Sequence, residues 1–90
     1  MTRTGESEAL FDRDFLADLA FWVATDRKIA LRLLELVEAT RRDPFHGIGK
    51  PEPLKRSLAG HWSRRLTSEH RVVYRVTETR VEFLQARYHY

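Results

Sequence analysis

Pro51-Glu52-Pro53 sets a carboxylate on a stiff piece of chain. Each proline fixes its own φ and Pro53 biases Glu52 toward extended backbone, so this acid has the rigid mount that a positioned base requires. Lys50 and Lys55 place cations on either side of it. The second chemical group is arginine, at positions 64, 65, 71, 75, 80 and 87. Strand alternation would let Arg65, Arg71 and Arg75 share a face if the register permits, and guanidinium groups on one face suit forked contacts with phosphate oxygens. The third is histidine. His89 lies in the closing Arg87-Tyr88-His89-Tyr90, and imidazole is the side chain best suited to deliver a proton near neutral pH. His46, His61 and His70 are rival candidates for that role. No His-x-His or His-x-x-x-His pair is present, so a metal centre is not expected.

A rigid acid, an arginine patch and a histidine form the inventory for cutting RNA by its own 2′-hydroxyl. The carboxylate would take the 2′ proton, arginine would steady the charge gathering on the phosphate, and histidine would protonate the departing 5′-oxygen. Many inert domains contain the same three residue types. Composition and spacing therefore stop short of an assignment.

The elements that must position these groups follow from periodicity. Residues 1–7 are polar and aperiodic and read as a flexible extension, and Glu8-Ala9-Leu10-Phe11 is a short strand candidate. Asp12 or Asp14 can cap a helix in which Phe15, Leu19, Trp22 and Val23 recur on one face. Thr25-Asp26 breaks that pattern and caps a second helix with Ile29, Leu33, Leu36 and Val37 on one face, ending at Arg41-Arg42-Asp43-Pro44. Residues 45–53 hold two glycines and two prolines and read as loop. Trp62–Thr67, Arg71–Val76 and Val81–Ala86 alternate as three strands of an antiparallel meander, with a turn at Thr77-Glu78-Thr79. The expected class is α+β, with two N-terminal helices packed on one face of a twisted, mainly antiparallel sheet and the arginine-bearing positions on the open face.

Ninety residues make a single domain, expected to span 8–90. There is no cysteine, hence no disulfide or thiolate metal site, which suits a reducing cytoplasm. The longest apolar run, Leu19 to Ala24, is six residues, far below the roughly 20 of a membrane span. Met1-Thr2-Arg3-Thr4 leads into acid rather than a long apolar stretch, so no secretory signal is expected. The net charge of +3 hides an asymmetry: residues 1–43 carry 7 Lys or Arg against 9 Asp or Glu, and residues 44–90 carry 9 against 4. All 4 histidines fall in the basic half, which could serve as a surface for phosphates.

The ordered run Arg41-Arg42-Asp43-Pro44-Phe45, Gly47, Gly49-Lys50-Pro51-Glu52-Pro53-Leu54-Lys55, Leu58, Gly60, Trp62-Ser63-Arg64-Arg65, Glu69-His70-Arg71, Val73-Tyr74 and Arg87-Tyr88-His89-Tyr90 resembles the YoeB/Txe toxins, a branch of the RelE superfamily. The resemblance covers about residues 8–90. His61 departs from it, standing where the family usually has an aromatic ring before the tryptophan.

The resemblance implies a microbial ribonuclease-like, RelE-like fold and a ribosome-dependent messenger RNA endoribonuclease, the toxin of a type II toxin-antitoxin pair, cutting in the ribosomal A site. It implies Glu52 as general base, Arg71 as the group that stabilises the phosphate, His89 as general acid and Tyr90 as an aid to substrate placement. Lys50, Lys55, Arg64, Arg65, Arg87 and Tyr88 are expected to bind RNA. The resemblance also implies a reaction that needs no metal or other cofactor and leaves a 2′,3′-cyclic phosphate and a 5′-hydroxyl. Expected partners are a YefM-type antitoxin, the ribosome with its message, a second copy of the chain, and operator DNA only through the antitoxin complex. The competing reading is a basic module that occupies RNA or the ribosome and blocks translation without cutting.

Overall fold

The computed structural model describes residues 7–55 and 60–87. The elements run β1 (Glu8–Phe11), α1 (Arg13–Thr25), α2 (Arg27–Arg42), β2 (Glu52–Pro53), β3 (His61–Arg65), β4 (Arg71–Val76) and β5 (Arg80–Gln85). Asp12 caps α1, its carboxylate accepting from the Asp14 amide, and Asp26 caps α2 by accepting from Lys28 and Ile29. Aspartate suits both places because its short acceptor reaches the free amides of the first turn. Asp43 closes α2, directly before Pro44, which has no amide to continue the helix.

The five strands form one sheet in the order β1-β5-β4-β3-β2. β1 lies parallel to β5 and every other pair is antiparallel. Two helices on this mixed sheet make the expected α+β domain. Phe15 and Trp22 from α1, and Leu33 and Leu36 from α2, meet Val72, Tyr74, Val81 and Phe83 of the sheet in one core. Phe83 is central to it, with its ring 5.3 Å from Phe11, 5.6 Å from Phe15 and 6.1 Å from Tyr74.

Several boundaries and orientations differ from expectation. β3 ends at Arg65 rather than Thr67, because the Leu66 amide turns to donate to the His70 carbonyl and the Thr67 hydroxyl accepts from the Glu69 and His70 amides. Glu52 and Pro53, placed in a loop by their flanking residues, form a two-residue edge strand paired with Ser63 and Trp62. An edge is where proline is tolerated in a sheet, since its missing donor faces no second neighbour. Val23 points outward, 63% exposed, one position beyond the buried stripe of α1. Ser7, assigned to the extension, is buried, and its amide donates to the Arg41 carbonyl at the end of α2, 2.8 Å away. Among the described residues no helix is long and apolar enough to cross a membrane.

Candidate active site

Register decides which side chains meet. β2 pairs Glu52 with Ser63, and β3 pairs Ser63 with Val73 and Arg65 with Arg71, so Glu52, Ser63, Arg65 and Arg71 all project from the face opposite the helices. The result is an acid–guanidinium pair on the open face. Arg71 Nη1 donates to Glu52 Oε1 at 3.0 Å and to Ser63 Oγ at 3.3 Å. The Arg71 side chain is 24% exposed and that of Glu52 58%, so the arginine is braced by the sheet while the carboxylate faces solvent. Among the described residues Glu52 Oε2 and Arg71 Nε and Nη2 make no hydrogen bond, so the pair keeps an acceptor and two donors for a ligand.

The remaining basic residues take different places. Lys50 and Arg65 are exposed and line one cleft of about 320 Å³ with Arg32, Gly49, Leu66, Thr67 and Ser68. Lys55 is exposed beyond β2. Arg75 shares the open face as the alternation suggested, but its guanidinium is gripped by both oxygens of Glu82, at 2.8 and 3.1 Å. That hydrogen bond and charge hold the Glu82 carboxyl below its usual range and Arg75 above its own. Arg87 stacks on Phe21 of α1, its guanidinium carbon 3.6 Å from the ring centre.

Arg64 is a correction. Expected among the RNA-binding residues on the open face, it is fully buried on the opposite one. Its guanidinium donates to the carbonyls of Ile48 at 2.7 Å, Asp43 at 2.5 Å and His46 at 2.9 Å, and to the Tyr74 hydroxyl at 3.3 Å. In this arrangement it offers nothing to a ligand at the sheet surface.

Tyr88, His89 and Tyr90, expected to supply stacking, the general acid and substrate placement, lie outside the described residues. The path of the chain up to them is defined. β5 runs antiparallel to β4 and ends with Gln85 opposite Val73, toward the end of β4 that begins with Arg71. There α1 holds Ala86 twice: Asp18 Oδ2 accepts from its amide at 2.8 Å, and the Trp22 indole donates to its carbonyl at 2.9 Å. His70, beside Arg71, packs edge-on against the same Trp22 ring, 4.8 Å between centres. Of the other histidines, His46 pairs with Asp43 at 3.1 Å, and His61 lies opposite Arg75. A hydrogen bond from the Phe45 amide, aided by His46, keeps the Asp43 carboxyl below its ordinary range.

Ser63, Asp18 and Trp22 were not singled out from the sequence as site residues. Alternation alone put Ser63 on the side of Arg65; nothing in the sequence linked α1 to the end of β5.

A two-helix, five-stranded α+β domain of this kind is the architecture of the RelE/YoeB-like toxins. The chain belongs to the family described as YoeB-like toxins of bacterial type II toxin-antitoxin systems, whose model matches residues 11–90. It is 55% identical over 80 residues to Toxin RelK of Mycobacterium tuberculosis, covering 89% of this chain and 94% of the relative. Among solved structures, the YoeB dimer of Staphylococcus aureus superposes with a TM-score of 0.85 at 34% identity, covering 94% of this chain and 99% of the other. A heterotetrameric YoeB-YefM toxin-antitoxin complex of the same organism gives 0.82 at 34%, covering 93% and 98%.

Proposed function

We propose that this toxin is a ribosome-dependent endoribonuclease that cuts messenger RNA in the A site without a metal. The observation that supports this best is the Glu52–Arg71 pair, 3.0 Å apart on the open face, in which Glu52 Oε2 and Arg71 Nε and Nη2 make no hydrogen bond among the described residues. Glu52 Oε2 takes the proton of a ribose 2′-hydroxyl as its oxygen bonds to phosphorus. Arg71 Nε and Nη2 donate to the phosphate oxygens, on which charge grows in the transition state. The bond to the 5′-oxygen breaks, and that oxygen receives a proton from the His89 imidazolium. The products are a 2′,3′-cyclic phosphate and a 5′-hydroxyl; water then returns the proton from Glu52 to His89.

Lys50, Lys55 and Arg65 hold the flanking phosphates, and Tyr88 and Tyr90 pack on the substrate. Arg87, engaged with Phe21, adds charge near the tail. The family relation supports a YefM-type antitoxin as the neutralising partner, a homodimer as the free form, operator DNA bound only through the antitoxin complex, and a cytoplasmic site of action.

Primer extension on message from arrested cells should show discrete new ends, and those 5′ ends should accept label from a kinase without prior phosphatase. Glu52→Gln, which keeps the shape and removes the base, should reduce cleavage on translating ribosomes about 10²- to 10⁴-fold with the fold intact. Arg71→Gln should cost about 10²- to 10³-fold. Arrest without new ends would establish the non-cutting alternative, and undiminished cleavage by both variants and by His89→Ala would refute the site.

A further inference from the structure

Arg64 is the largest fully buried side chain of the described residues, and no carboxylate is bonded to its guanidinium. A buried cation needs a reason. Its hydrogen bonds go instead to the carbonyls of Asp43, His46 and Ile48, spaced along the segment that leads from the end of α2 to Glu52. The C-terminus of α2, where Asp43 is the cap, adds a favourable dipole. Tyr74 completes the bracket, accepting from Arg64 Nε and donating to the Pro44 carbonyl at 2.7 Å.

The rest of the segment is pressed onto the same strand. Gly49, at φ 82, lies so close that a Cβ there would meet Leu36 Cδ2 at 2.9 Å and Arg64 Cβ at 3.1 Å. Lys50 follows with φ 50, a left-handed turn unusual outside glycine. The Gly49 carbonyl accepts from the Arg65 amide at 2.6 Å, and the Leu54 amide donates to the His61 carbonyl at 2.9 Å. Glu52, between these two bonds, pairs with Ser63, the residue next to Arg64.

We propose that Arg64 is a positioning residue for the Glu52 base: its buried fork fastens the 43–50 segment to β3 and so fixes where the carboxylate stands relative to Arg71. The proposal rests on the reading of Glu52 as base. Lysine cannot replace it, because one ammonium on a flexible stem lacks the planar fork that reaches three carbonyls together.

Arg64→Lys tests this in the full chain, with circular dichroism to confirm the fold. Amide exchange at Arg65 and Leu54 should quicken roughly tenfold or more as the segment opens locally. Single-turnover cleavage should fall about 10²-fold, the usual cost of a misplaced group, while affinity for ribosomes programmed with message stays unchanged. In a Glu52→Gln background the same substitution should cause no further loss of the residual cleavage, since the group it positions is gone. Unaltered exchange at both amides, weakened binding with an unaltered cleavage step, or an equal further loss in the Glu52→Gln background would each overturn the proposal.

If Arg64→Lys does not fold, Tyr74→Phe carries the same measurements with smaller shifts in the same directions; no shift in exchange or cleavage then overturns it. Absence of cleavage by the unaltered protein would remove the ribonuclease reading alone. Amide exchange would still decide the clamp.

Discussion

Adjacent arginines on β3 meet opposite fates, and the two faces of the sheet explain why. Arg64 points inward and is spent entirely on backbone carbonyls and a tyrosine hydroxyl, whereas Arg65 points outward into an exposed cleft. β4 repeats the division, with Tyr74 buried and Arg71 braced at the surface beside Glu52. One face thus converts charge into fixed geometry, and the other keeps charge available. The same residue type does both, so its role is set by strand parity and not by chemistry alone.

Substitutions on the two faces should separate stability from activity. Phe83→Ala empties the centre of the inner face and should lower unfolding free energy by about 3–5 kcal/mol in denaturant titration. Trp22→Phe removes the indole bond to the Ala86 carbonyl and should cost about 1–3 kcal/mol, because a buried acceptor loses its donor. Arg65→Ala on the outer face should change stability by about 0.5 kcal/mol or less while weakening binding to message, a loss that shrinks as salt is raised. A stability loss from Arg65→Ala as large as that from Trp22→Phe would break the division.

The smallest effect is expected at Glu82. The Arg75 hydrogen bond and charge lower its folded pKa below that of the unfolded chain. Its contribution to stability is therefore complete above the ordinary carboxylate range and is lost as pH falls through the folded value. Glu82→Gln should lower stability slightly at neutral pH and leave it unchanged in acid, so that stability falls slightly less steeply as pH drops, as monitored by circular dichroism.

The helices and their aspartate caps were legible because period and capping chemistry agree at Asp12 and Asp26. The open-face grouping of Arg65, Arg71 and Arg75 was legible as a conditional, since parity assigns faces and only the backbone assigns register. Arg64 shows where the two signals conflict. Alternation groups it with Trp62 and Leu66, across the strand from Arg65, while its charge argued for solvent, and the loop carbonyls that receive it come from residues 16 to 21 positions earlier. The β2 strand was hidden for a different reason: two residues between prolines carry no period, and only pairing with Ser63 and Trp62 makes them a strand. Arg75 meets Glu82 through the β4–β5 hairpin, a pairing that needs the register and not the alternation alone.

β5 is the last strand of the chain and yet lies inside the sheet, between β1 and β4. A nascent chain that has not yet delivered residues 80–85 has no strand to join β1 to β4, and Phe83 is missing from the core. The sheet therefore cannot close until β5 has been made, and a premature stop upstream of it leaves β1 and β4 without the strand that joins them.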